Sequence, residues 1–200
     1  MITVINYGLG NLHSVEKAIA YAGGDAKVTD DPEMILKADK VVLPGVGAFA
    51  DGMKGLAARG VVSSVKETAL SGKPLLGICL GMQLFFEASE EDGHHEGLGL
   101  LKGKVKAFDQ PGIKIPQIGW NQLEIDKPSR LMQEIQQGSY VYFNHGYYCI
   151  PEDVSDILTT TWYGVRFAST VQRENVIGVQ FHPEKSQQIG LKIIRNFVEL

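Results

Sequence analysis

The 200 residues carry 19 Lys and Arg against 23 Asp and Glu, a formal charge of −4 at pH 7, which gives no electrostatic reason to bind nucleic acid or an anionic membrane surface. A chain of this length can bury a substantial core without disulfides or a structural metal, so a single domain over 1–200 is expected, with no linker. No apolar stretch reaches the roughly 18 residues of a spanning helix, the N-terminus lacks a basic segment followed by a cleavage site, and Cys79 and Cys149 are too few for a disulfide framework; a reducing, cytoplasmic setting is expected.

In chain order, Ile2-Thr3-Val4-Ile5-Asn6-Tyr7 reads as a strand, and Asn11 to Ala22 has helical spacing closed by Gly23-Gly24. Ala26-Lys27-Val28-Thr29 is the next strand, followed by a short helix from Pro32 and the strand Lys40-Val41-Val42-Leu43, which runs into Pro44-Gly45-Val46-Gly47. Residues 49 to 71 read as mostly helical. Pro74 to Ile78 reads as a buried strand, and Met82 to Ala88 as the helix after it. Alternating strands and helices imply an α/β fold, with a doubly wound, mostly parallel central sheet and helices on both faces. From about residue 98 the texture changes to short strands: 103–108, 121–125, 140–143, 157–162, 167–171 and 176–181. This pattern predicts a mixed or antiparallel extension in the C-terminal half, closed by an amphipathic helix from about Gln187 to Glu199.

The segment Gly77-Ile78-Cys79-Leu80-Gly81 places one of the two cysteines between small residues at a strand-to-helix turn. G-x-C-x-G is the thiol counterpart of the hydrolase elbow, in which flanking small residues let the backbone turn sharply and push a nucleophile out of the sheet. The helix start favours negative charge on the sulfur, and the N–H of Leu80 is free to receive an oxyanion. In Gln180-Phe181-His182-Pro183-Glu184, His182 emerges at a strand end, where it suits both proton removal from a thiol and proton return to a leaving nitrogen. Glu184 is placed to hold the imidazole in one tautomer, with Pro183 fixing the backbone between them. The Pro44–Gly47 loop can bring a second backbone donor, at Gly47 or Val46, toward the same oxyanion.

Three other features are set aside. Gly8-Leu9-Gly10 lacks the third glycine of a dinucleotide fingerprint, since His13 occupies that position. His94-His95-Glu96, beside Glu90, Glu91 and Asp92, lacks zinc-site spacing and reads as a solvated loop. The aromatic group Tyr140, Tyr142, Phe143, Tyr147 and Tyr148 reads as packing, while Asn144-His145-Gly146 within it could present polar groups to a substrate. No metal and no cofactor are expected.

The cysteine segment extended to Met82-Gln83, and Phe181-His182-Pro183-Glu184, resemble the two signatures of class I, triad-type glutamine amidotransferases. Within that family the chain is most similar to glutaminase subunits of imidazole glycerol phosphate synthase. The resemblance is carried by Asn6-Tyr7-Gly8-Leu9-Gly10-Asn11-Leu12 with Ser14-Val15, Leu43 to Phe49, Gly119-Trp120-Asn121, and His182 to Ser186. It implies a Cys79, His182, Glu184 triad, with the Gly45, Val46 and Gly47 strand and Leu80 at the oxyanion. Gln83 and the Asn144, Gly146 and Tyr147 segment would contact L-glutamine. It further implies attack of the thiolate on the side-chain amide, loss of ammonia and hydrolysis of a glutamyl thioester. The implied partner is a (β/α)8-barrel cyclase in a heterodimer, met by Trp120, Tyr140 and Lys185, which receives the ammonia through a sealed path and makes imidazole glycerol phosphate and aminoimidazole carboxamide ribotide. One departure stands out: relatives more often have a different short sequence than Asn144-His145-Gly146 before the paired tyrosines. From the motifs alone, another triad hydrolase, the glutaminase of another pathway, or a non-catalytic module using Cys79 as a redox sensor are competing readings.

Overall fold

The computed structural model describes residues 1–200. The first half builds β1 (Ile2–Ile5), α1 (Leu12–Tyr21), β2 (Ala26–Thr29), α2 (Pro32–Lys37), β3 (Lys40–Gly45), α3 (Phe49–Ala58), α4 (Val62–Leu70), β4 (Leu75–Cys79) and α5 (Leu80–Leu84). The second half adds β5 (Phe86–Ser89), β6 (His95–Glu96), β7 (Leu101–Ala107), β8 (Gln117–Gln122), β9 (Glu124–Ile125), β10 (Tyr140–His145), β11 (Tyr147–Pro151), β12 (Ile157–Tyr163), β13 (Val165–Arg173), β14 (Val176–Val179) and α6 (Gln187–Val198). Local chemistry starts the early helices. The Asn11 side chain accepts from Ser14 N–H at 3.3 Å, and Asp31 accepts from Glu33 N–H at 2.9 Å, with Pro32 at the first helical position of α2.

One eight-stranded sheet in the order β2-β1-β3-β4-β14-β13-β12-β9 organises the molecule. Pairing is parallel from β2 through β14 and antiparallel from β14 to β9. The strands β1, β4 and β14 are buried along their whole length, which is why they read as continuous apolar runs without alternation. The side chains of these strands and of β3 divide between two cores. Val4, Val42, Ile78 and Val179 pack with α1 and α6, whereas Ile5, Val41, Leu75 and Val176 pack with the helices α2 to α5. The doubly wound sheet and its antiparallel extension match the fold class expected from the sequence. Two smaller sheets, β10-β8 and β11-β7-β5-β6, stand beside it. No helix is long and apolar enough to cross a membrane.

Three local expectations are corrected. The helix expected over Met82–Ala88 ends at Leu84, and Phe86 begins a strand. The carbonyls that would continue it are taken by a returning segment: Leu98 N–H bonds Leu84 O at 2.8 Å, and Leu100 N–H bonds Phe85 O at 2.8 Å. No glycine or proline announces that stop. His95-Glu96, expected in a solvated loop, instead pairs with Ala88 and Ser89 as an edge strand. The strand expected over Asn121–Ile125 is split at the fully buried Leu123, its halves joining different sheets. The strand Tyr147–Pro151, hidden among the aromatics, pairs with β7.

Candidate active site

The carboxyl ends of β3, β4 and β14 lie side by side near the point where the order of the parallel strands reverses around β1, the place where ligands bind in such sheets. Cys79 closes β4 with φ +54° and ψ −107°, a conformation that costs a side-chain-bearing residue energy and persists only when its surroundings impose it. Here the imposition comes from Gly81. A Cβ at Gly81 would stand 1.8 Å from the Leu43 carbonyl oxygen, so the start of α5 presses against β3 backbone to backbone.

His182 lies three residues beyond β14. Its Nδ1 is 2.9 Å from Glu184 Oε1, and both side chains are 2 % exposed. This contact fixes the imidazole so that Nδ1 carries a proton and Nε2 is left for other chemistry; Nε2 is buried and makes no hydrogen bond of its own. Burial opposes the imidazolium, but the Cys79 thiolate and the Glu184 carboxylate outweigh it and push the ring's pKa up to about 10.

A cavity of about 170 Å³ opens in front of Cys79, lined by Val46, Gly47, Leu80, Gln83, Glu91 and the segment Asn144 to Tyr147. Its volume lies below the roughly 300–1,000 Å³ of pockets for drug-sized ligands and suits one small molecule. Glu91 enters it from the β5–β6 connection, its carboxylate held by Phe49 N–H at 2.6 Å and its pKa raised, chiefly by burial. Behind the cavity, Gln83 Nε2 donates to Tyr147 O and to Gln180 Oε1, each at 3.1 Å. His145 is buried among Phe108, Phe143 and Phe167 and faces the same Tyr147 carbonyl through Nδ1 at 2.7 Å. No group of His, Cys, Asp or Glu side chains converges as a metal ion would require.

The family model described as glutamine amidotransferase class-I matches residues 3–200. Among curated proteins, the chain is 49 % identical to the imidazole glycerol phosphate synthase subunit HisH of Syntrophotalea carbinolica, covering 100 % of both chains. It is 50 % identical to the HisH subunit of Moorella thermoacetica, over 100 % of this chain and 94 % of that one. The chain belongs to the HisH family of class I glutamine amidotransferases. Solved structures agree on the fold: a glutamine amidotransferase superposes with TM-score 0.77 at 18 % identity, covering 100 % and 98 % of the two chains. The structure described as PurLQS from Thermotoga maritima gives 0.77 at 19 %, covering 99 % and 97 %.

In this amidotransferase the residues singled out in sequence fall into four groups. Val46, Gly47, Leu80, Gln83, Asn144, Gly146 and Tyr147 line the cavity together with Cys79. His182 and Glu184 are buried and do not line it. Gly45 does not line it: it is buried, paired in register with Cys79, and its Cα faces the Tyr7 hydroxyl, where a Cβ would stand 2.1 Å away. Gly47, by contrast, has φ +106° and open space around it, so its amide direction is set by a backbone that only glycine adopts readily.

Trp120, Tyr140 and Lys185 form a separate surface. Trp120 and Tyr140 are 46 % and 54 % exposed on the β8–β10 ribbon, and Lys185 Nζ stands 5.9 Å from the ring of Tyr142, which Trp120 meets edge-on at 6.0 Å. His145, expected within the polar Asn144-His145-Gly146 segment, does line the cavity, whereas Glu91, Gln180 and Tyr7 are active-site neighbours that the sequence does not single out. Gln180 was findable, being a polar residue two positions before His182 in an apolar strand. Glu91 was not, because Glu90, Glu91 and Asp92 are indistinguishable until the loop is folded.

Proposed function

We propose that residues 1–200 act as one amidotransferase domain that hydrolyses L-glutamine to glutamate and ammonia through Cys79, His182 and Glu184. The ammonia passes to a (β/α)8-barrel cyclase, the heterodimeric partner in the cytoplasm that makes imidazole glycerol phosphate and aminoimidazole carboxamide ribotide. The observation that carries this reading is the meeting of a strained cysteine, a carboxylate-held histidine and a small cavity in a chain about half identical to HisH subunits over its full length.

In this reading the Cys79 thiolate attacks the side-chain amide carbon of glutamine. The developing oxyanion lies against the N–H groups of Leu80 and of Gly47 or Val46, donors each worth on the order of 3 kcal/mol in the barrier. His182 hands its proton to the departing nitrogen, ammonia leaves, and a glutamyl thioester remains. His182 then takes a proton from water, whose oxygen attacks the thioester and restores the thiolate. Glu91 is the one carboxylate lining the cavity, and it supplies the charge that an α-ammonium group requires.

The test uses Cys79→Ala in the complex with the cyclase. Glutamine hydrolysis should disappear while synthesis driven by added ammonia continues. Loss of both activities, or survival of glutamine hydrolysis, would remove Cys79 from the role given to it.

A further inference from the structure

Gln180 is fully buried, lies outside the cavity wall, and reaches the cysteine from the protein side. Its Nε2 stands 3.7 Å from Cys79 Sγ, and its Oε1 accepts from Gln83 Nε2 at 3.1 Å. A primary amide can be turned end for end, so the direction of its dipole must be settled by neighbours whose roles are fixed. Here a backbone carbonyl settles it. Tyr147 O can only accept, so Gln83 presents its NH2 there, at 3.1 Å. The second hydrogen of that NH2 meets Gln180, which must answer with its oxygen, and the Gln180 NH2 is left facing the sulfur. The Nδ1–H of His145 occupies the remaining lone pair of Tyr147 O at 2.7 Å, which closes the chain at its far end.

The sulfur has a different neighbour on another side, the Asn144 carbonyl oxygen at 3.9 Å. A carbonyl can interact favourably only with an S–H, whereas an amide N–H interacts best with a thiolate. Moving the thiol proton to His182 therefore releases the Asn144 contact and strengthens the one to Gln180. The donor approaches through packed protein, where neither water nor substrate competes for it. A hydrogen bond to an ionised partner is about twice as strong as a neutral one.

We propose that Gln180 is a further catalytic residue of this amidotransferase: its side-chain N–H holds the Cys79 sulfur in the thiolate state, and the chain from Tyr147 through Gln83 keeps that N–H aimed. The proposal rests on Cys79 being the nucleophile. The other titratable groups around the sulfur are His182 with Glu184 beyond it, Tyr7, Cys149 and, around the cavity, Glu91, Tyr147 and His145, whose ring is held neutral by burial with a pKa of about 4. Tyr7 and Cys149 are pushed up by burial and by each one's proximity to Cys79, so both stay neutral through the range of the test. The apparent midpoint belongs to the Cys79–His182 pair.

The measurement is the rate of Cys79 carbamidomethylation by iodoacetamide against pH, followed by peptide mass, in the full-length wild type, Gln180→Met and Gln180→Glu. The midpoint of thiolate formation should rise by about one to two pH units in Gln180→Met, the shift expected for loss of a hydrogen bond to a charged group. It should rise further in Gln180→Glu, which keeps an acceptor for Gln83 but sets a carboxylate against the sulfur. In the complex, kcat for glutamine should fall about tenfold in Gln180→Met with KM within about twofold, a split that general loosening of the site would not give. The wild type supplies a readout independent of any variant's folding: the Gln180 side-chain amide signal in 15N–1H spectra should move with the alkylation midpoint, and should not move with pH in Cys79→Ala. A Gln180→Met profile that overlays the wild type, or a pH-invariant Gln180 amide in the wild type, overturns the proposal. A wild-type Cys79 that is not selectively alkylated overturns the glutaminase reading itself, and this inference with it.

Discussion

His145 is an imidazole that the fold keeps uncharged. Burial, opposed by its bond to Tyr147 O and joined by repulsion from His182, pushes its pKa down to about 4. Unfolded, the same ring takes a proton near pH 6.5. Between those values the unfolded chain binds a proton that the folded chain refuses, so this residue's contribution is present above pH 6.5 and is lost as the pH falls toward 4. The gap corresponds to about 3 kcal/mol of acid sensitivity. In His145→Gln the unfolding free energy, followed by urea titration at a series of pH values, should lose less between pH 6.5 and 4 than in the wild type. Equal acid slopes for the two proteins would count against a neutral buried His145.

At the scale of the element, the turn from β4 into α5 is held by contact between backbones. Gly81 touches the Leu43 carbonyl, and any side chain there must move β3 or unwind the first turn of α5. Gly81→Ala should therefore cost on the order of 3 kcal/mol as an overpacked site, lowering Tm by about 6–12 °C in a chain of this size. Because the same contact sets Cys79 at φ +54°, glutamine hydrolysis should fall even well below the new melting point. Calorimetry paired with an assay at low temperature checks both, and a variant with unchanged Tm would show that β3 and α5 can separate freely. The brevity of α5 belongs to this scale too: the segment 97–101 claims carbonyls that a longer helix would have used.

Across the whole molecule, the exposed β8–β10 ribbon is tied directly to the turn that carries His182. His182 N–H bonds Tyr142 O at 2.9 Å, Tyr142 N–H bonds Ser186 Oγ at 2.9 Å, and that hydroxyl donates to His182 O at 2.6 Å. The side chains of Trp120 and Tyr140 project from this ribbon beside Gln187, Gln188 and Ile189, around a surface hollow of about 410 Å³. We expect the cyclase to dock here, because large, well-exposed aromatics with an adjacent cation are the residues that anchor interfaces. Trp120→Ala and Tyr140→Ala should change the unfolding free energy of the isolated chain by less than about 0.5 kcal/mol. Each should weaken assembly with the cyclase about tenfold or more, as read by calorimetric titration. Unaltered affinity in both would move the interface elsewhere.

The layered α/β architecture is legible in the order of residues, because strands buried on both faces must be apolar throughout and the helices between them must repeat every three to four residues. That order also marks Cys79 by its flanking glycines, and His182 with Glu184 by their spacing around a proline, since these are local constraints written into consecutive residues. Folding alone sets Gly45 against Tyr7 while Gly47 opens to the cavity, brings Glu91 rather than Glu90 or Asp92 into it, and turns Gln180 toward the sulfur. These depend on which atoms meet across long stretches of chain. The direction of one amide, in particular, is dictated by a carbonyl 33 residues before it, at Tyr147, through a third residue, Gln83, on another element. No local pattern encodes a contact of that kind.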